Sequence, residues 1–292
     1  MIPMIAMLVD TAVAFEENNA LNYVHEWGVV VFEQGNPIIC GSPLDGTAVY
    51  RDYDMCAEAP VVWIHGEPFT DGTFTVRVWN GEALTILHPD PDILTENKAT
   101  WNISAGYDLE RSIEETALYS GSFSWAMDYW RDVPSLPLYQ NNTGITEKFL
   151  YYECTVNPEF TGNFFYWNSN GNPVFTGTSI EEALFFTPYG VIPISVQLDE
   201  FIPCDFPLGG EIDPELAPDT FCRWADSRLK SSEISALWET WQPALTEEGS
   251  YWLVFPIPVE YNNEISTIRL ETSAHRDIEY ERLFLGAIRL NR

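Results

Sequence analysis

The sequence predicts a mainly β protein: an antiparallel β-sandwich-like architecture with one C-terminal amphipathic helix and a short middle helix. Three observations lead there. Aromatic residues make up 14% of the 292 residues, with 11 Trp, 14 Tyr and 17 Phe, and aromatic side chains favour strands. Short runs rich in Val, Ile and aromatics recur between clusters of Gly, Pro, Asn and Asp, which is strand punctuation. Helical period is confined to two segments, 231–243, where it is strongest, and the shorter 108–119.

Each element follows from its own pattern. "YVHEWGVVVF" (23–32) opens the chain as a strand. "APVVWIHGE" (59–67), "GTFTVRVW" (72–79) and "EALTILHP" (82–89) follow, with Asn80-Gly81 between the last two. Asn-Gly supplies the two positive φ angles of a type I′ turn, so 59–89 is expected to form a three-stranded antiparallel meander. Pro89-Asp90-Pro91-Asp92 ends it. In 108–119, Leu109, Ile113 and Ala117 recur at intervals of four, the spacing of a short helix. Strands are expected at 147–156 and 163–177, the second a hairpin around Ser169-Asn170-Gly171. The proline-spotted run 183–202 suits edge or crossing strands. In "SSEISALWETWQP", Ser231 or Ser232 would cap a helix whose apolar face is Ile234, Leu237, Trp238 and Trp241, with Pro243 after its end. Strands at 250–259, 264–270 and 280–290 close the chain. Residues 18–292 are expected to form a single β-rich domain, built as one unit or as two packed halves (18–100 and 145–292).

Composition restricts the setting. Asp and Glu number 44 against 14 Lys and Arg, a formal charge of −30. Such a surface repels nucleic acid and anionic lipid, which excludes both as partners. Residues 1–17 resemble a secretory signal segment: an apolar start is followed by Ala12-Val13-Ala14, an A-x-A pattern. Export to the extracellular space or cell surface is the expectation, and no stretch approaches the ~20 apolar residues of a membrane span. The five cysteines contain no C-x-x-C. Cys40/Cys56 and Cys204/Cys222 bracket loop-like segments as candidate disulfides, leaving Cys154 as a buried small hydrophobe. Sequons stand at Asn102 and Asn141.

"HEWG" near the start, "APVVWIHGEPFTDGTFTVRVWNGEALTILHP" and the closing "WETWQPALTEEGSYWLVFPIP…RLFLGAIRL" together resemble a family of uncharacterised, usually exported bacterial proteins marked by an N-terminal His-Glu-Trp-Gly motif. The likeness covers both ends of the chain. It implies export and a β-rich fold, and it brings no activity with it.

Chemistry-bearing motifs are sparse. There is no G-x-S-x-G, H-E-x-x-H, Walker loop or G-x-G-x-x-G. In a regular strand, His25 and Glu26 point to opposite faces, so the "HE" pair is no dyad, and His25 reads as a satisfied histidine on an aromatic face. The meander offers more. With a two-residue turn at Asn80-Gly81, Thr73 faces His88, and His65 and Glu67 join the same polar rim with Asp90 just beyond. Two imidazoles and carboxylates are the donor set of a divalent transition metal. His65 and His88 are then candidate ligands, Glu67 a ligand or general base, and Asp90 a supporting or calcium-binding carboxylate. Asp52/Asp54 and Asp90/Asp92 are further paired carboxylates suited to calcium. Trp125 and Trp130 are the tryptophans expected at the surface. Two functions follow: an exported acidic module that binds a glycan, another ligand or a partner protein through an aromatic face, or a metal-dependent hydrolytic enzyme using the His65/Glu67/His88 rim.

Overall fold

The structure is a computed structural model that describes residues 21–32, 39–40, 49–50, 55–79, 82–112, 123–169, 172–176, 180–196, 216–273 and 277–290. The signal-like segment, the 113–119 part of the expected middle helix, the Asn80-Gly81 and Asn170-Gly171 turns, Asp52, Asp54 and Cys204 lie outside the described residues.

The chain enters through β1 (Asn22–Phe32). The short ribbon of β2 (Ile39–Cys40) and β3 (Val49–Tyr50) follows, and β4 (Met55–His65) then runs back antiparallel to β1. It crosses to a second sheet as β5 (Phe69–Arg77) and returns to the first as β6 (Leu84–His88). It crosses again for β7 (Ile93–Thr95) and β8 (Lys98–Ala105). After the helical turn α1 (Met127–Arg131), β9 (Leu138–Gln140) and β10 (Thr146–Glu147) extend the second sheet, and β11 (Leu150–Thr155) rejoins the first. A small hairpin follows, of β12 (Phe165–Trp167) and β13 (Pro173–Phe175). The antiparallel pair β14 (Glu182–Thr187) and β15 (Gly190–Ser195) puts β15 at one edge of the first sheet, the place its proline-spotted sequence suggested. Helices α2 (Leu216–Ala225) and α3 (Ser231–Leu245) lead to β16 (Trp252–Ile257), α4 (Asn262–Ile265), β17 (Thr267–Thr272) and β18 (Ile278–Arg289).

The result has three layers. An eight-stranded sheet, ordered β15-β14-β16-β18-β1-β4-β11-β6, packs one face on a six-stranded sheet in which β10-β9-β8-β5-β17 run side by side and β7 pairs with β8. Val24, Val62, Phe255 and Phe284 of the large sheet meet Phe74, Trp101 and Leu270 of the small one in this interior. The other face of the large sheet is covered by helices. There Trp27, Trp63 and Leu285 pack against Trp130, Phe221, Leu237 and Trp241. Each fully buried aromatic or aliphatic side chain contributes roughly 1.5–3 kcal/mol, so two hydrophobic layers account for the unusually apolar β1, in which ten of eleven positions are buried.

The mainly antiparallel β-rich expectation holds, with particular corrections. The 59–89 meander does not form: β5 pairs with β8 and β17, whereas β6 pairs with β11 in the other sheet. The cause is one-sidedness. Phe74, Val76 and Val78 form a single apolar face that the sandwich interior takes up, and the Asn-Gly segment lies between a strand of one sheet and a strand of the other. In the large sheet, β1 and β18 pair in parallel, Glu26 opposite Arg282, with strands from both ends of the chain sharing one sheet. Helix α2 was not among the expected elements, although its buried residues Ala217, Thr220, Phe221 and Trp224 recur at three- and four-residue intervals along one face. Helix α3 runs through Pro243 to Leu245, whose side chain is buried against the helix-side core. Within the described part of 108–119 the backbone is a 3-10 turn over Tyr107–Ser112. Trp130 is buried, its indole N–H donating to Thr240 Oγ1 at 2.9 Å, and Trp125 is half-buried. Cys154 is a buried free thiol as expected, and Cys222 is an exposed free thiol whose expected partner, Cys204, lies outside the described residues.

Candidate functional site

Strand parity along β1 holds and places two different polar clusters on the two faces of the large sheet. Glu26 points into the sandwich interior, where it accepts from the Tyr152 hydroxyl at 2.6 Å and pairs with the Arg282 guanidinium. His25 points the other way, beneath α3. The register sets Tyr23 opposite His65 and His25 opposite Trp63, so His25 and His65 are diagonal neighbours on one face. Their ring centroids lie 4.5 Å apart.

Between these imidazoles sits the carboxylate of Glu233, which is fully buried. Its position follows from the start of α3. Lys230 occupies the extended N-cap position, and Glu233, third in the helix, reaches back to accept the Lys230 backbone N–H at 2.6 Å. Leu229 and Ile234 are both buried on either side of the cap, the hydrophobic staple that fixes how a chain enters a helix. The cap is therefore Lys230 with Glu233, not Ser231 or Ser232. His25 Nδ1 lies 3.0 Å from both Glu233 oxygens, and His65 Nε2 lies 2.7 Å from Oε1. On its other edge, His65 Nδ1 meets Lys230 Nζ at 2.7 Å, and that ammonium also donates to Pro134 O at 3.2 Å.

Charge states follow from these partners. Burial alone would raise the Glu233 carboxyl, but hydrogen bonds from His25 and His65 outweigh it and hold the group at about 2. Glu233 is thus an anion at any neutral pH. Burial lowers His65 below its ordinary value, against the pull of Glu233, and His25 and Lys230 add to the lowering. A neutral His65 that donates from Nε2 to Glu233 and accepts at Nδ1 from Lys230 satisfies both of these contacts. Burial also lowers Lys230, with Glu233 opposing. The chain Glu233–His65–Lys230 is therefore a carboxylate-oriented imidazole in contact with an amine, an arrangement able to hold or move a proton.

The network borders a cleft. His65, Lys230, Lys148, Tyr107, Asp132 and Ser135 line a cleft of about 480 Å³. Gly66 makes the geometry possible immediately after His65. Its φ of +105° turns the chain away from β4, and a Cβ there would stand 2.4 Å from Leu21 O, so only glycine fits. Its carbonyl accepts the Tyr107 hydroxyl at 3.3 Å across the cleft mouth.

Of the residues expected at the rim, the structure brings in only His65. His88 sits on β6 opposite Tyr151, and its Nε2 lies 3.2 Å from Glu147, which also binds Arg131 Nη2 at 2.6 Å. Glu67 is exposed beyond Gly66, and Asp90 is exposed after the crossing. Thr73 faces Asn102 and Glu271 instead of His88. The expected set dissolves because β5 and β6 belong to different sheets. Asp92 accepts hydrogen bonds from Asn102 N, from Asn142 Nδ2 at 2.7 Å and from Gln140 Nε2 at 3.2 Å. A carboxylate filled by protein donors in this way is not set up for calcium.

A different donor set takes its place. One ligand atom each from His25, His65 and Glu233 lie within 4.8 Å of one another, two imidazoles and a carboxylate of the type that suits a divalent transition metal. With a metal on Nε2, His65 would carry its proton on Nδ1, facing the Lys230 ammonium, so loading requires that lysine to turn aside. Sequence reasoning passed over His25 and Glu233. The one local signal was Glu233 three residues into a capped helix; nothing local joins it to His25, 208 residues away. Compared with protein-family models and with curated proteins, the sequence matches none.

Proposed function

We propose that this protein is an exported binding module whose cleft beside His65 takes a small anionic ligand carrying a carboxylate or phosphate group. One observation carries the reading: the chain has a formal charge of −30 and three lysines, Lys98, Lys148 and Lys230, and two of them line the same cleft. On so acidic a surface, positive groups gathered around one concavity focus an anion there. Asp132 at the rim disfavours a ligand of high negative charge. The Lys230 ammonium, held by His65 Nδ1 and Pro134 O, keeps a third donor and does not need to reorganise when the ligand arrives.

Titrating inorganic phosphate and acetate into the protein, with the His65 ring signals followed by NMR, tests this. Saturable shifts are expected for at least one of the two anions. Lys230→Ala and Lys148→Ala are each expected to weaken binding about tenfold, the loss of one charge-assisted contact, and Lys98→Ala, on the other sheet, to leave it unchanged. Absence of saturation with both anions, or equal affinity in all three variants, would sink the reading.

A second reading, metal-dependent hydrolysis, is favoured by the convergence of His25, His65 and Glu233. Cobalt(II) titration checks it through the ligand-field bands of a nitrogen–oxygen site. Bands that vanish in His25→Ala support it, whereas no stoichiometric uptake, or uptake indifferent to that substitution, removes it.

A further inference from the structure

We infer that a second, independent site at the end of β5 binds a neutral saccharide, with Trp79 as its stacking platform. Trp79 is 57% exposed, yet its ring is not loose. The indole N–H donates to Asn263 O at 2.8 Å, which pins the edge of the ring to α4 while the residue stays exposed. An exposed tryptophan held in one orientation has already lost the rotamer freedom that ligand binding would otherwise cost.

The ring forms a ridge between two depressions. One, of about 410 Å³, is lined by Trp79, Asn157, Glu159, Phe160, Asn163 and Glu264. The other, of about 320 Å³, is bordered by Arg77, Val78, Trp79 and Thr267. Phe160 gives the first a rigid apolar floor, being buried and held edge-on against Phe164 at 5.1 Å. Around that floor stand two carboxylates and two carboxamides, with Asn163 donating to Glu264 at 3.1 Å. A concave apolar surface with a few placed polar groups is the general form of a small-ligand site.

The chemistry of this rim selects the ligand. Each sugar hydroxyl both donates and accepts, and carboxylates that accept beside carboxamides that do both match it. The C–H face of a pyranose carries partial positive charge and suits the electron-rich face of an indole. Glu159 and Glu264 repel acidic sugars. A cationic ligand would want several aromatic faces around it, and this site presents one exposed ring. A ridge with a hollow on each side also suits an oligosaccharide, with one unit over the ring and its neighbours in the hollows.

The test is quenching of tryptophan fluorescence and calorimetry with cellohexaose, maltohexaose and chitohexaose, with tetramethylammonium as the cationic comparison. At least one hexasaccharide is expected to bind saturably. Trp79→Ala should weaken it by about tenfold or more, and Trp79→Phe, which keeps a flat ring, should weaken it less. Far-UV circular dichroism of both variants should match the parent because the side chain is exposed. Lys230→Ala should leave sugar binding unchanged, and Trp79→Ala should leave phosphate binding unchanged, so the two sites stand or fall separately. No binding of any hexasaccharide, binding undiminished in Trp79→Ala, or binding of tetramethylammonium in place of the sugars would overturn the inference.

Discussion

Glu233→Ala is expected to lower the unfolding free energy by about 3–5 kcal/mol, because it removes a buried carboxylate that serves three donors at once. The substitution removes the acceptor of His25 Nδ1, of His65 Nε2 and of the Lys230 backbone N–H together. It also cuts the tie between the first turn of α3 and the β1–β4 pair. For a chain of this size the loss corresponds to a fall in melting temperature of about 5–8 °C, read by thermal unfolding followed through tryptophan fluorescence. Glu233→Gln keeps the shape and one acceptor, and is expected to fall between the two. The acid limb of stability reports the same group. Glu233 is held at about 2, below the ordinary 4.5, so its contribution is full above pH 4.5 and is lost as the pH falls toward 2. His65, held below 6.5 by burial, loses its own contribution in the same direction, beginning below pH 6.5. The gap in urea-unfolding free energy between the parent protein and Glu233→Gln should therefore shrink between pH 4.5 and 2. A gap constant across that window would show that the carboxylate is not anionic in the folded protein.

Arg282→Met should cost a similar amount, about 3–5 kcal/mol, by leaving Glu26 as an unpaired charge inside the sandwich. Burial opposes the charge on Arg282, but Glu26 and Tyr152 keep it charged. Its guanidinium donates to Glu26, to Ser266 Oγ at 2.8 Å, to Ser266 O at 2.9 Å and to Asn263 Oδ1 at 3.2 Å. Tyr152 completes the cluster, bonding both Glu26 and Ser266. Combining Arg282→Met with Glu26→Leu is expected to recover part of the loss, since an apolar pair of similar volume carries no desolvation penalty. Chemical denaturation of the two single variants and the double variant measures the coupling. Strict additivity would show that the pair does not hold the strands together.

How much of this was legible in the sequence varies with distance along the chain. The strand at 23–32, the hairpin around 170 and the helix from Ser231 announced themselves because alternation, turn chemistry and helical period act over a few residues. The opposed directions of His25 and Glu26 were equally local, a consequence of a two-residue period, and they proved decisive: each residue belongs to a separate buried cluster. The rim of His65, Glu67, His88 and Asp90 rested instead on a guess about pairing. Asn80-Gly81 suits a hairpin between neighbours, but chemistry suited to a turn does not say which strand comes next to which.

By itself, the sequence determined a folded, acidic, aromatic-rich β protein, because composition and short periodicities set what each segment can bury. Only the tertiary structure decided that β5 and β6 part company, that β18 returns parallel to β1, and that Glu233 meets His25 and His65. Those outcomes turn on which apolar faces cover one another across many intervening residues. A buried carboxylate finds its partners only once that covering has excluded water from around it.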